Sequence, residues 1–344
     1  MATYDDQHEH KHETFQLGEF TVPRLWTGLW QLSSNAWGTA PVSKVRQAMR
    51  RHVDLGHTAF DMADHYGSAE IIFGQFRVSL ETPASVVGAT KWCVFKSTEV
   101  TLEVVEEAVR QRMERMRTER VDLLQFHWQD YADKGYIQAL EYLSQLKARG
   151  LIAAIGLCNF DAVRTEEICA HFPGMIVSNQ VPFSVIDIRV LYAMKDVCSK
   201  YGVKLLTYGT LCGGFLAERW IGEPEPDPYS GSLNPSQRKY LDFIVKAWGS
   251  WELFQDLLVV LHDIGQLHGA SVSNVATRWV LDHPIVGAVI VGARLGCTEH
   301  AADNLNVYKL ALTAADRAQI DQVIARSAGS RLNETIGDCG SEYR

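Results

Sequence analysis

The sequence lacks any run approaching the roughly 20 consecutive apolar residues that a membrane-spanning helix needs. Residues 1–15 are polar and rich in histidine, without the apolar segment of a secretory signal. An excess of positive charge is also missing, since 33 Lys and Arg residues face 41 Asp and Glu residues, for a formal net charge of -8. Binding to nucleic acid or to anionic lipid is driven by clustered basic residues. We therefore expect an ordinary soluble, cytoplasmic protein with neither partner.

Cysteine is sparse, and its spacing shows no short pairs. The seven cysteines are Cys93, Cys158, Cys169, Cys198, Cys212, Cys297 and Cys339. An odd number without paired spacing is typical of free thiols in a reducing compartment rather than of a disulfide framework or a zinc site. We expect no disulfide and no bound metal.

A glycine-rich turn is absent after the first predicted strand, where residues 29–34 read LWQLSS. An open, doubly wound dinucleotide-binding sheet would carry G-x-G-x-x-G there. Short apolar runs instead alternate with helical-period segments, which is the pattern of a parallel sheet with crossover helices. The predicted strands are 25–31, 58–61, 85–90, 121–127, 152–157, 176–180, 203–207 and 287–291, and the predicted helices are 43–55, 69–78, 102–117, 137–148, 163–171, 190–201, 273–281 and 299–306. Eight such units predict the α/β class and a (β/α)₈ TIM barrel.

The expected single domain covers residues 15–330, between a disordered His-rich arm at 1–14 and a polar tail at 331–344. Two segments depart from a plain barrel. Residues 218–251 are too long for an ordinary loop and follow the seventh strand on the active face, where they are expected to form a lid. Residues 313–328 have the pattern of one more helix.

Four polar residues are predicted at the carboxyl ends of neighbouring strands: Asp61, Tyr66, Lys91 and His127. Each alone has an ordinary explanation, such as a helix cap, a solvated charge or a buried core histidine. In a parallel barrel, however, these ends converge on one mouth. Together they predict a proton-donor site, in which the Lys91 charge and hydrogen bonds lower the pKa of Tyr66 towards neutral pH.

The segments FDMADHYG (60–67), ATKW (89–92), LLQFHW (123–128), IGLCNF (155–160), NQVPFS (179–184), TYGTLCGG (207–214) and VGARLGCTEHAADNL (291–305) resemble the aldo-keto reductase superfamily in order and spacing. The resemblance runs from residue 15 to 309 and is strongest to its shorter-looped bacterial, plant and fungal branch. It implies a barrel with an N-terminal β-hairpin and an NADP(H)-dependent oxidoreductase of carbonyls or alcohols. Tyr66 would then be the general acid and base, Lys91 and Asp61 would tune its pKa, and His127 would orient the substrate.

The resemblance also assigns a cofactor site. Asn159 and Gln180 would hold the nicotinamide carboxamide, and Tyr208 would stack on the ring. The remaining residues would contact the pyrophosphate and the adenine end; they are Gly209, Thr210, Leu211, Gly213, Gly292, Arg294, Thr298, His300 and Asn304. An arginine fork at Arg294 favours NADP(H), although NAD(H) stays compatible because His300 and Leu295 replace residues common in relatives.

The substrate and the preferred direction are left open by the sequence, as is the oligomeric state. Trp30, Trp92 and Trp128, with Trp37, follow strand ends and are predicted to wall an apolar substrate pocket, with core packing as the alternative. Cys158 stands where serine is common in relatives. The alternative function is a cofactor-binding regulatory protein, like the potassium channel β subunits of this superfamily. A barrel with isomerase chemistry would need a different set of strand-end acids and bases.

Overall fold

The computed structural model describes residues 12–343. Eight parallel strands close a barrel in the order β10-β3-β4-β5-β6-β7-β8-β9, which confirms the predicted (β/α)₈ fold. A separate antiparallel hairpin, β1 with β2, precedes it. The strands are β1 Thr14–Leu17, β2 Phe20–Pro23, β3 Leu25–Gly28, β4 Ala59–Asp61, β5 Val87–Val94, β6 Val121–Trp128, β7 Ile152–Cys158, β8 Ile176–Pro182, β9 Lys204–Tyr208 and β10 Val286–Gly292.

Helices follow each barrel strand. They are α1 Val42–Asp54, α2 Ala69–Arg77, α3 Leu102–Arg115, α4 Gly135–Ala148, α5 Ala162–His171, α6 Ala193–Tyr201, α7 Pro235–Asp242, α8 Trp251–His268, α9 Val272–Leu281, α10 Ala301–Asn304, α11 Ala314–Ala325 and α12 Leu332–Thr335. Several expected boundaries are wrong. The third barrel strand, expected at 85–90, is β5 and runs from Val87 to Val94. The first barrel strand stops at Gly28 and is followed by a 3₁₀ turn, Trp30–Ser33, and the predicted helix 299–306 is only α10 followed by the turn Leu305–Lys309.

The amino end of the barrel is filled by a mixed layer of apolar residues, four of them alanines, and is closed by the hairpin. The layer includes Ala59, Ala89, Ala154 and Ala288, one from each of four strands, and all four are buried. Leu17 and Val22 of the hairpin are fully buried against this layer. Alanine leaves space at the barrel axis that a neighbouring apolar side chain must fill, because protein interiors tolerate few voids.

The crossover after β9 is the longest in the barrel and contains two helices that the sequence analysis did not identify. Within the predicted insertion 218–251, Asn234 caps α7 and forms a reciprocal capping box with Gln237. A π-helical turn, Phe243–Trp248, then leads to α8, which Ser250 caps. Helix α8 buries Phe254, Leu257, Leu258, Leu261 and Ile264 along one side, as i, i+3, i+4 spacing requires.

The expected chain ends are partly wrong. Thr14 already lies in β1, so the described chain is ordered earlier than the predicted arm boundary, while residues 1–11 of that arm lie outside the described residues. The predicted extra helix is α11. The polar tail after residue 330 folds back on the barrel and buries Leu332 and Cys339 completely, because its charges find partners there. Between residues 12 and 343, no helix is both long and apolar enough to cross a bilayer.

Candidate active site

A cavity of about 690 Å³ lies at the carboxyl ends of the barrel strands. This volume is within the usual range for small-molecule and cofactor sites. The predicted catalytic and cofactor residues line it, together with Trp30; they are Asp61, Tyr66, Lys91, His127, Asn159, Gln180, Tyr208, Gly209, Thr210, Leu211, Gly213, Gly292, Arg294, Thr298, His300 and Asn304. The fold thus brings to one cavity residues from positions 30 to 304 of the chain.

A buried ion pair lies beside the Tyr66 ring. Asp61 is the last residue of β4 and pairs with Ala89 of β5, so Lys91, two residues further along β5, points to the same face of the sheet. Lys91 Nζ donates to the two Asp61 carboxylate oxygens at 3.0 and 2.8 Å and to the Met62 carbonyl at 2.9 Å. The same ammonium is 4.7 Å from the centroid of the Tyr66 ring. The cation is therefore fully engaged by the protein on one side and faces the phenol on the other.

The ionisation of this group differs from the expectation. Burial raises the pKa of Tyr66 above its usual value and outweighs the Lys91 charge, which lowers it, while Asp61 raises it further. Burial alone would lower the pKa of Lys91, but the charges of Asp61 and Tyr66 reverse this and raise it. The prediction that the pair lowers the tyrosine pKa towards neutrality is therefore wrong for the protein without ligand. The phenol retains its proton and Lys91 its charge at neutral pH.

Two glutamines complete the surroundings of Asp61, and one of them was missed. Gln125 of β6 donates to Asp61 Oδ1 at 2.8 Å, and Gln180 of β8 donates to the same oxygen at 2.6 Å and to Gln125 Oε1 at 2.7 Å. Because a carboxylate only accepts hydrogen bonds, these contacts fix which end of each amide is the NH₂ group. The NH₂ group of Gln180 donates to Asp61 and Gln125, so the amide oxygen of Gln180 is the atom that can accept a hydrogen bond from a ligand. Gln125 lies two residues before His127 in the quoted motif, and period-two strand geometry could have identified it.

His127 is buried near the end of β6, with its ring held by the neighbouring strand. Its Nδ1 lies 3.0 Å from the carbonyl oxygen of Cys158. A carbonyl only accepts, so Nδ1 carries a proton and the ring orientation is fixed. The Phe95 ring packs 5.5 Å from it.

Asn159 and Tyr208 lie together at the ends of β7 and β9. The Tyr208 hydroxyl donates to Asn159 Oδ1 at 2.7 Å. Asn159 adopts a left-handed backbone with φ of 59°, which asparagine tolerates better than most residues do. This bond uses the amide oxygen and leaves the Asn159 NH₂ as the donor, while Gln180 offers an acceptor. A primary carboxamide needs one of each.

The small-residue loop after β9 packs under the insertion. Gly209 has φ of 73°, and the hydroxyl of Tyr240 on α7 occupies the space that a side chain would need. A side chain at Gly213 would meet the Ser236 backbone of the same helix at 3.0 Å. From the other side of the mouth, Trp37 Nε1 donates to Ser236 Oγ at 3.3 Å. Helix α7 thus covers the loop after β9 and reaches the loop after β3.

The far end of the cavity carries cationic side chains. Arg219, Lys239 and Arg294 line it, and the segment with Thr298, His300 and Asn304 forms its edge. Within that segment Glu299 is engaged by Arg51, whose Nη2 and Nε lie 2.9 and 3.1 Å from one carboxylate oxygen. Positive charge at this end fits an anionic, phosphate-bearing cofactor. The predicted helix N-terminus at this edge is a single short turn, α10, so it adds little to anion binding.

An aromatic wall surrounds Tyr66. Trp30 lies 4.9 Å and His65 4.8 Å from its ring centroid, while Trp37 lies 5.8 Å from Trp30 and Phe95 5.1 Å from His65. His65 and Phe95 were not predicted, because they lie in loops whose course depends on the whole barrel. This wall suits an apolar or planar substrate.

The predicted roles of Trp92 and Trp128 in the pocket are wrong. Trp92 packs 5.3 Å from Phe126, and Trp128 donates to the carbonyls of Asp130 and Asp133. Both belong to the core between strands and helices. Successive side chains of a strand point to opposite faces, so when Lys91 and His127 face the cavity their neighbours must face the helices.

Cys158 lines the cavity but is a poor candidate for redox chemistry. Burial raises the pKa of its thiol to about 12.

Asp64, His65 and Cys93 bring three potential metal-ligand atoms within 4.8 Å of one another, but Asp64 already accepts a hydrogen bond from the Cys93 backbone at 2.8 Å and lies 3.0 Å from His65. These groups are explained by their bonds to one another.

Comparison with known proteins identifies the same family that the sequence motifs resemble. The model of the Aldo/keto reductase family matches residues 24–325. Flagellar radial spoke protein 5 of Chlamydomonas reinhardtii is 32% identical over 181 residues, which cover 48% of this chain and only 34% of that protein. The chloroplastic pyridoxal reductase of Arabidopsis thaliana is 24% identical over 339 residues, covering 92% of this chain and 87% of the relative. An aldo/keto reductase from Klebsiella pneumoniae, solved in complex with NADP and acetate, shares the fold with a TM-score of 0.69 at 20% identity, over 91% of this chain and 96% of the other.

Proposed function

This chain belongs to the aldo/keto reductase family, and from that premise we propose that it is an NADP(H)-dependent oxidoreductase that interconverts a carbonyl and an alcohol. Tyr66 donates the proton in reduction and removes it in oxidation. The Asp61–Lys91 ion pair beside the Tyr66 ring carries this proposal. A buried cation next to a buried phenol is the arrangement that stabilises the anion left when the phenol gives up its proton.

The remaining protein groups position the reaction. Asp61, held by Gln125 and Gln180, keeps Lys91 in place. His127, fixed through Nδ1, orients the substrate oxygen near the phenol. The raised pKa of Tyr66 means that the acid form is present for reduction at neutral pH. Oxidation of an alcohol needs the phenolate, so we expect it to accelerate as the pH rises above neutrality.

The dinucleotide, when bound, supplies or accepts the hydride. The residues that line the cavity fit this cofactor. Asn159 and Gln180 provide the donor and the acceptor that a carboxamide needs, and the Tyr208 ring can stack on the nicotinamide. Arg219, Lys239 and Arg294 provide positive charge for the phosphates. The NADP bound in the Klebsiella relative supports the phosphorylated form. NAD(H) is the alternative, because Arg294 lacks a second basic residue beside it. The substrate is an aldehyde, ketone or aldose whose carbonyl reaches Tyr66 past the aromatic wall.

The test is a fluorescence titration with NADPH and NADH, followed by turnover of a panel of aldehydes, ketones and aldoses, on the wild type, Tyr66→Phe and Tyr142→Phe. Tyr142 lies on α4 and outside the residues that line the cavity. Loss of the Tyr66 hydroxyl should lower kcat by about a hundredfold or more while dinucleotide affinity stays nearly the same, because the proton is needed chiefly in the transition state. Tyr142→Phe should behave as the wild type.

Two results would overturn the proposal. Failure to bind either dinucleotide would remove the cofactor. Tight dinucleotide binding without turnover of any carbonyl or alcohol would instead favour the regulatory alternative, a binding protein that kept the site.

A further inference from the structure

Arg189, in the loop after β8, is charged and fully buried. Burying a guanidinium is costly unless its donors are paired. Asp187 accepts from it at 2.8 and 2.7 Å, and its other acceptors within residues 12–343 come from the end of the chain: Glu342 at 3.2 and 3.1 Å, the Gly337 carbonyl at 3.2 Å and the Asp338 carbonyl at 3.1 Å. The segment 337–343, here called the C-terminal strap, is thereby docked on the active face of the barrel.

The strap packs directly on the loop that carries Asn159. Asp338 Oδ2 accepts from the Ala162 backbone N–H at 2.7 Å. Gly340 approaches so closely that a side-chain carbon there would lie 2.7 Å from the Asn159 carbonyl oxygen and 2.8 Å from its Cα and Cβ. Asn159 itself holds a left-handed backbone, which in a residue other than glycine persists where the surroundings impose it. Contact with Gly340 is one of those surroundings.

The strap also contacts the insertion that covers the small-residue loop. Lys239 of α7 hydrogen-bonds the Tyr343 hydroxyl and lies 4.3 Å from the centroid of that ring. Its ammonium is 4.0 Å from Glu342. Tyr343 lines the cavity and packs 6.1 Å from the Tyr208 ring. The strap therefore connects Asn159 on one side of Tyr208 with α7 on the other.

We propose that the C-terminal strap is part of the dinucleotide site, where it holds Asn159 and α7 in the positions that bind the cofactor. Gly340 and Glu342 are positioning residues in this arrangement, because they act through Asn159, Arg189 and Lys239. The inference rests on the proposed function for the identity of the ligand. It concerns the affinity for the dinucleotide and leaves proton transfer to Tyr66.

The experiment compares Gly340→Ala, Glu342→Gln and Gly150→Ala with the wild-type full chain. Gly150 is the matched control, because its φ of 82° is close to the 84° of Gly340 while its surroundings are open within 4 Å. Both alanines would place a side chain at a similar left-handed φ, but only the one at Gly340 would meet Asn159. Glu342→Gln keeps the shape of the side chain and removes its charge, so it tests the docking even if Gly340→Ala unfolds the segment.

Two readouts are measured. Hydrogen exchange of the protein without ligand should be faster at 159–162 and at 235–242 in both strap variants and unchanged there in Gly150→Ala, because these segments contact the strap. The dissociation constant for NADPH should rise by about tenfold in Gly340→Ala and by about threefold in Glu342→Gln. At saturating dinucleotide, the KM for the carbonyl substrate should stay as in the wild type, because the aromatic wall around Tyr66 does not include the strap.

The failures are distinguishable. Wild-type exchange and wild-type NADPH affinity in both strap variants would overturn the strap as part of the site and leave the proposed function intact. Equal loss of affinity in Gly150→Ala would likewise overturn it, since backbone strain alone would then account for the effect. If the wild type binds neither NADPH nor NADH, both proposals fail, and the exchange data alone would report whether the strap holds Asn159 and α7.

Discussion

The carboxylate of Asp61 accepts hydrogen bonds from Lys91, Gln125 and Gln180, which come from three different strands. Such a network ties the proton-donor end of the site to the carboxamide end, because Gln180 touches both Asp61 and Gln125. A change at one residue is therefore felt by the others, as in other buried polar networks. Gln125 is the member that lines neither the substrate nor the cofactor portion of the cavity, so its effect must pass through Asp61.

Gln125→Met tests this network by replacing an amide with a side chain of similar size that cannot hydrogen-bond. We expect a loss of about 1 to 3 kcal/mol in the free energy of unfolding, because Asp61 and Gln180 each lose a buried partner. The kcat for carbonyl reduction should fall by about tenfold as Lys91 loses its fixed position. Urea unfolding and steady-state kinetics measure both. Gln138→Met, at an exposed site on α4, is the control, and equal behaviour of the two variants would refute the network.

The sequence predicted which residues face the cavity where their place near a strand end alone decides this. Asp61, Lys91 and His127 follow from parallel strands whose carboxyl ends converge. Trp92 and Trp128 failed because each is one residue from a cavity-facing side chain, and the period of two sends it outward. The direction of the Tyr66 pKa shift failed for another reason: burial, which depends on the packed loops around it, outweighs the charge of Lys91.

At the scale of elements, α7 and its cap Asn234 are the part of the insertion that covers the loop after β9. Its start is fixed by the capping box, in which Asn234 Oδ1 accepts from the Gln237 N–H at 2.9 Å and Gln237 Oε1 accepts from the Asn234 N–H at 3.0 Å. Asn234 and Ser236 line the cavity directly. Stability of this first turn thus affects how well α7 covers the loop after β9, and whether α7 acts as a lid can be tested there.

Asn234→Ala should destabilise α7 locally by about 1 kcal/mol, since the cap bond is lost. We expect faster dissociation of the dinucleotide, by about three- to tenfold, and faster proteolytic cutting within 223–234, both measured against the wild type. Thr313→Ala removes the matching capping box of α11, away from the cavity, and should lower stability by a similar amount without changing dinucleotide release. Identical release rates in the two variants would count against α7 as a lid.

The barrel strands were predictable at this scale because both faces of each are covered by protein, which leaves continuous apolar runs in the sequence. Helix α8 was missed although its buried residues Phe254, Leu257, Leu258, Leu261 and Ile264 follow a helical period. The Pro- and Gly-rich run before it predicts a loop rather than a helix. Helix α7 had a weaker signal, because it has only eight residues and buries Gln237 and Leu241 alone among them.

At the scale of the whole molecule, the two ends of the barrel serve different purposes. The carboxyl end carries the cavity, the insertion and the C-terminal strap, and the amino end is closed by the hairpin of β1 and β2. The strap could not be foreseen from its own polar sequence, because the partners of Asp338 and Glu342 are Ala162 and Arg189, about 150 or more residues away in the chain. The hairpin is the opposite case, since its apolar residues fill the space that the alanines of the barrel interior leave.

Leu17→Ala tests this division of roles. Leu17 is fully buried against the alanine layer, so its truncation should cost about 2 to 5 kcal/mol of unfolding free energy through lost burial and the cavity left behind. Affinity for NADPH and kcat at 25 °C should stay as in the wild type, because the change lies at the end of the barrel away from the site. Leu267→Ala, at a position that is 77% exposed on α8, provides the control and should change stability by less than about 0.5 kcal/mol. A loss of NADPH affinity in Leu17→Ala at a temperature where the protein is folded would show that the hairpin shapes the site through the barrel interior, and the separation of the two ends would then be wrong.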